Sequence, residues 1–199
     1  MRLARRVIEF EVKAPVPPER LEALRAALGP PLRVEAHADA YFAHPARDFA
    51  RTDEALRLSD RAGRADLTYK GPKLDARTKA RREVVVPLAD AAPMRGVLEA
   101  LGFREVRVVR KTRALFDHAG FEVALDEVPP LGFFVELERQ LPEGAGRAQA
   151  DTAGLRPGLS APSRARDDAE RDAMALLARW GLARTERKSY LELLLEAGA

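Results

Sequence analysis

The 199-residue chain has no cysteine, which excludes structural disulfides and thiolate metal sites. A reducing, cytoplasmic setting is compatible with that absence. No apolar run approaches the roughly 20 residues that a helical membrane span needs. The opening stretch reaches Glu9 before a signal-peptide core can form, so the chain reads as soluble. Aromatic residues are scarce, at 6%, and no basic run stands apart from acidic residues. Even at a pI of 9.4, this argues against nucleic acid as the main partner. An excess of one charge sign is missing too, since 33% charged residues leave a net charge of only +3. There is no P-loop and no Ser/His/Asp pattern, and His37, His44 and His118 are too scattered for a zinc site.

What the chain does have is alternation. Residues 9–13 read Glu9-Phe10-Glu11-Val12-Lys13, and on a strand the three charged side chains share a face. Carboxylate oxygens suit a hard Mg2+ or Mn2+, and an ammonium suits the anion such a cation brings with it. A metal–triphosphate site is therefore the first expectation. Residues 55–59 group Arg57 with Ser59, and residues 66–70 group Asp66, Thr68 and Lys70 before an expected turn at Gly71-Pro72. Residues 79–86 group Lys79, Arg81, Glu83 and Val85, and residues 105–116 group Glu105, Arg107, Val109, Lys111 and Arg113. Residues 121–126 group Glu122 with Asp126, and residues 134–138 repeat the Glu-x-Glu spacing in Glu136 and Glu138. That makes about seven strands with one apolar and one charged face each, the pattern of an antiparallel sheet. The chain carries 28 arginines and only 6 lysines, yet Lys13, Lys70, Lys73, Lys79 and Lys111 all fall on or beside these segments. A compact ammonium offers what a guanidinium does not.

Three helices are expected. Residues 19–28 follow Pro17-Pro18 and stop at Gly29, with Leu21, Leu24, Ala27 and Leu28 as the apolar stripe. Residues 93–101 follow Asp90 as cap and stop at Gly102; residues 164–180 carry Ala169, Ala173, Leu176, Leu177 and Trp180 on one face and stop at Gly181. Residues 140–163, rich in glycine and proline, read as a mobile loop, and residues 187–195 as a last strand or a short helix. A sheet closed into a barrel, with charges inside and helices packed outside, satisfies the pattern as one α+β domain over residues 1–199, completed by the helix and tail of 164–199.

These residues resemble the CYTH superfamily, the triphosphate tunnel metalloenzymes, and within it the class IV adenylyl cyclases. The resemblance rests on residues 9–13, 41–58, 68–73, 109–113, 124–128, 131–138 and 188–194, in family order. It implies a closed antiparallel eight-stranded β-barrel, the triphosphate tunnel. It also implies that Glu9, Glu11 and Glu136, with Glu138 or Asp126, hold Mg2+ or Mn2+. Lys13, Arg57, Lys70, Arg81, Lys111 and Arg113 become the triphosphate-binding cations, with Glu9, Glu11, Lys13 and Lys111 as the catalytic set. The implied partner is a small-molecule triphosphate, ATP or a relative, and a homodimer stays open.

Two departures bear on substrate choice. Where the resemblance expects Leu-Arg-x-Arg, the chain has Leu56-Arg57-Leu58-Ser59, and an expected acidic position after Glu83 is Val85. Ser59 on the face of Arg57 is expected to mark a missing tunnel cation. Two reactions are open: cyclisation of ATP with release of pyrophosphate, or hydrolysis of thiamine triphosphate, tripolyphosphate or an NTP. A nucleotide- or polyphosphate-binding module without turnover is the third reading. Phe49, Phe103 and Phe133 read as core residues rather than an adenine pocket, and His44 and Arg47 take no role from the residues alone.

Overall fold

The computed structural model describes residues 5–61, 63–73, 81–141 and 161–198, with side chains from Phe10 onward in the first strand and from Arg164 onward in the helix that begins at Ala161. Eight antiparallel strands form one curled sheet: β1 (Arg5–Val16), β2 (Arg33–Ala43), β3 (Ala55–Arg61), β4 (Arg64–Lys73), β5 (Arg81–Leu88), β6 (Arg104–His118), β7 (Phe121–Val128) and β8 (Gly132–Leu141). Their hydrogen-bonded order is β1-β5-β4-β3-β2-β6-β7-β8. β1 serves both edges, pairing through Arg5 to Glu9 with β5 and through Ile8 to Val16 with β8.

Seven of these strands follow the alternation read from the sequence. β2 does not: Glu35, His37, Asp39 and Tyr41 alternate there with Ala36, Ala38, Ala40 and Phe42, and alanine is too weakly apolar to advertise a buried face. The turn expected at Gly71-Pro72 is also absent. β4 runs on to Lys73 with a register shift against β5 after Lys70. A proline cannot donate to the ladder, so it sits where the pairing slips. β8 continues through Gln140 and Leu141, and α4 starts at Ala161. Residues 142–160, the body of the expected loop, lie outside the described residues, as does Lys79.

Helices α1 (Pro18–Leu28) and α4 (Ala161–Arg179) cover the outer face of β1, β7 and β8. Leu21, Leu24, Ala169, Ala173, Leu176 and Leu177 pack there on Phe10, Val12, Val123, Val135 and Leu137. Each such large apolar side chain contributes roughly 1.5–3 kcal/mol on burial. The short α2 (Phe49–Thr52) and α3 (Ala91–Ala100) cover β2, β3 and β4 through Phe49, Ala91 and Leu98. Asp90 caps α3 as expected, accepting from the Ala92 amide at 3.0 Å, and Gly102 ends the turn at φ 85°. Among the described residues no helix is long and apolar enough to cross a membrane.

α5 (Tyr190–Glu196) departs from the expectation that helices pack outside. Its Tyr190 and Leu194 are buried against Tyr41, Val109, Val128 and Phe134. Tyr41 and Phe134 alternate with the outward Ala40, Phe42 and Val135, so α5 covers the inner face. The reason is local: Tyr190 carries an apolar ring and a hydroxyl, and the inner face supplies apolar residues at one end and a buried carboxylate beyond them.

Candidate active site

Period-two alternation sends the charged face of nearly every strand into one cavity of about 580 Å³. Glu11 of β1, Glu122 of β7, and Glu136 and Glu138 of β8 line one side. Arg57 and Arg61 of β3, Lys70 of β4, Arg81 of β5, and Lys111 and Arg113 of β6 line the other. Asp39, Asp66 and Glu83 stand among those cations. The register places Glu138 directly opposite Glu11 on one neighbour and Glu122 on the other. Like charges facing each other across strands are destabilising, so this row calls for cations.

Arg113 answers part of that demand. Its Nε and Nη2 donate to the two oxygens of Asp126 at 2.7 and 2.6 Å, Nη2 also reaches Glu136, and Nη1 donates to Glu138 at 3.2 Å. Burial alone would lower the Arg113 pKa, but the charges of Asp126 and Glu136 raise it well above its ordinary value. Asp126, fully buried, also accepts from Lys111 Nζ at 3.3 Å and from the Tyr190 hydroxyl at 2.9 Å. Burial, reinforced by the charges of Glu136 and Asp126, raises the Tyr190 pKa well above the usual phenol, so the hydroxyl stays a donor.

Lys13 packs against the ring of that tyrosine. Its ammonium sits 4.0 Å from the centre of the Tyr190 ring and donates to the Lys188 carbonyl at 2.5 Å, while the Glu186 amide donates to the Lys13 carbonyl at 2.7 Å. Lys13 is 1% exposed. The tail that sequence periodicity left undecided is thus a helix held inside by Lys13 and Asp126. Its start is fixed by a capping box between Ser189 and Glu192. Ser189-x-x-Glu192 was the available signal.

On the cationic side, Asp39 accepts from the Ser59 hydroxyl at 2.5 Å and faces Arg57 Nη1 at 3.9 Å. Burial by itself would raise the Asp39 pKa, but Arg57, Lys111 and the Ser59 hydroxyl hold it well below the usual range. Burial, then the charge of Lys111, push His37 down to about 4. Lys70 Nζ bonds Glu83 at 2.5 Å, and Arg61 pairs with Asp66, which also accepts from Thr68 at 2.9 Å. Ser59 does not mark an open vacancy for a cation. It is 1% exposed and closed against Asp39.

Of the residues expected from sequence, Glu11, Glu136, Glu138, Arg57, Lys70, Arg81, Lys111 and Arg113 come together at the cavity. Lys13 and Asp126 are buried behind Tyr190 instead, and the side chain of Glu9 lies outside the described residues. Asp39, Arg61 and Tyr190 were missed. Arg61 continues the period of Arg57 and Ser59, so one further step along β3 would have found it. His44 shapes the β2–β3 connection, accepting from the amides of Ala46 and Arg47 at 3.0 Å and packing on Phe49 and Phe103. Among the described residues no three acidic or imidazole side chains are already gathered at metal-binding distance. The donor set still fits a hard divalent cation, because Glu136 and Glu138, both oxygen donors lining the cavity, already converge on one positive centre at Arg113.

Residues 7–153 match the CYTH domain, so the chain belongs to the CYTH family. A Methanocaldococcus jannaschii protein named "Putative adenylate cyclase MJ0240" is 44% identical over 103 residues, and the match spans 52% of this chain and 59% of that protein. The PH1819 protein of Pyrococcus horikoshii OT3 superposes with a TM-score of 0.79 at 35% identity, covering 95% of this chain and 99% of its own. HpAC1 from Hippeastrum, a protein that reveals a dominant triphosphatase activity, shares the fold at a TM-score of 0.61 and 19% identity, with 96% of each chain covered.

Proposed function

We propose that this chain is a divalent-metal-dependent enzyme of the class IV adenylyl cyclase kind, converting ATP to cyclic AMP and pyrophosphate in a closed tunnel. The observation that carries the reading is the opposition of walls. Carboxylates from β1, β7 and β8 face cations from β3 to β6 across one cavity. A triphosphate carries about four negative charges, so the cations alone leave no use for the carboxylates, whereas a bound divalent cation links the two sets. The pairing of β1 with both β5 and β8 supports closure.

Glu11, Glu136 and Glu138, with Glu9 two residues before Glu11, would hold Mg2+ or Mn2+. The bound cation would supply charge neutralisation at the phosphate oxygens. Arg57, Lys70, Arg81 and Lys111 orient the triphosphate and stabilise the charge that develops on departing pyrophosphate as the ribose 3′-hydroxyl attacks the α-phosphorus. Arg113 keeps the carboxylate wall from repelling itself before substrate arrives. The cavity also takes in Tyr41 of β2 and Leu191 and Leu195 of α5. Such apolar walls suit an organic head group better than bare polyphosphate. The name of the M. jannaschii relative agrees with this reading.

The second reading, a triphosphatase in which water attacks the terminal phosphorus, is favoured by the activity of HpAC1. One experiment separates them. The protein is incubated with ATP, other NTPs, thiamine triphosphate or tripolyphosphate and either Mg2+ or Mn2+. Cyclic AMP with pyrophosphate supports the cyclase, and free phosphate supports the triphosphatase. Binding without any product leaves the non-catalytic module.

A further inference from the structure

Arg61 ends β3, directly across from Arg64, and faces the same cavity as Arg57. Asp66 takes its Nη2, but its Nε is buried and has no hydrogen-bond partner among the described residues. A guanidinium has five N–H donors in a fixed fork, and a buried donor left unmade is costly. Setting aside Arg113, which pairs with Asp126, Glu136 and Glu138, the strands from β2 to β6 bring five cations to the cavity against three carboxylates, so this wall keeps a positive excess that Asp66 and Asp39 do not cancel. Between Arg57 and Arg61 the inner position belongs to Ser59, which is closed against Asp39 and offers the cavity nothing.

We propose that Arg61 is a phosphate-binding residue of this cavity, gripping with Arg57 the terminal phosphate of the substrate's chain. The inference rests on the triphosphate reading above and adds a residue to it. Burial and the neighbouring charge of Arg57 lower the Arg61 pKa, and Asp39, 3.9 Å from Arg57, offsets only part of that. A phosphate oxygen accepts from Nε while Nη2 keeps Asp66, so the anion completes the fork. Arg61 lies four steps along β3 from Arg57, roughly 13 Å of strand, so the pair brackets the end of an extended chain rather than one oxygen.

The test is calorimetric titration with tripolyphosphate and with ATP. Replacing Arg61 alone strands the buried Asp66, so the informative protein is the double variant Arg61→Gln/Asp66→Asn, compared with Arg61→Lys and the exposed neighbour Arg64→Gln. The double variant is expected to bind both ligands at least tenfold more weakly at low salt, the loss shrinking as salt rises. Arg61→Lys should recover part of it and Arg64→Gln should match wild type. Wild-type affinity in the double variant would overturn the inference alone and make Arg61 merely the partner of Asp66. If wild-type protein bound neither ligand, the triphosphate reading would fall and the inference with it.

Discussion

Replacing Lys13 by methionine tests whether this lysine works on substrate or on the protein itself. In the structure its ammonium is 1% exposed, donates to the Lys188 carbonyl at 2.5 Å and stands 4.0 Å from the Tyr190 ring centre. A hydrogen bond from a charged group contributes about 1.5–3 kcal/mol. A desolvated cation–π contact adds about 2 kcal/mol. Methionine refills the volume and removes the cost of burying a charge, which offsets part of that sum. The expected net loss is about 2–4 kcal/mol. The backbone bond from Glu186 to the Lys13 carbonyl survives, so residues 186–196 should loosen without global unfolding. Urea denaturation of both proteins reads the stability, and hydrogen exchange of amides 186–196 reads the loosening. Unchanged stability and protection together with lost turnover would refute this account and return Lys13 to the reacting phosphates.

Four further expectations follow from the same contacts. Glu11→Gln should abolish Mg2+- or Mn2+-dependent turnover with the fold intact; near wild-type rates at ordinary metal concentration would remove Glu11 from the metal set. Arg113→Ala leaves Asp126, Glu136 and Glu138 without their shared counter-charge. It should cost roughly 3–5 kcal/mol in urea unfolding, less at acid pH where the carboxylates protonate. Burial, then the charge of Lys111, push the folded-state His37 pKa down to about 4 from the ordinary 6.5. The unfolded chain therefore binds the proton more readily, and stability should fall as pH drops from about 6.5 towards 4. His37→Asn should flatten that window, and an unchanged stability–pH curve would contradict the assignment. Ser59→Arg should destabilise by about 1–3 kcal/mol through overpacking, because Ser59 is enclosed by Asp39, rather than tighten phosphate binding. Titration with tripolyphosphate alongside thermal unfolding distinguishes the two outcomes.

The chain's local code determined the faces and the ends of its elements. Alternation from Glu11 to Lys13, from Arg57 to Arg61 and from Glu136 to Glu138 puts those side chains on one side of their strands whatever the strands pair with, because the backbone alternates at every residue. Asp90 and Gly102 bounded α3, and Ser189 with Glu192 encoded the start of α5, since a cap needs only neighbours in sequence. β2 was the exception, where alanines blur the apolar signal. What only the tertiary structure decided is which charge meets which. Register and sheet order set Glu138 between Glu11 and Glu122, distances that no period along one strand contains. The return of the C-terminal segment to the inner face then withdrew Lys13 and Asp126 from the cavity. A shared face says where a side chain can point, whereas its partner is fixed by chain segments far away in sequence. Burying Tyr190 between an ammonium and a carboxylate satisfied all three groups at once, and that solution exists only once the sheet has curled around them.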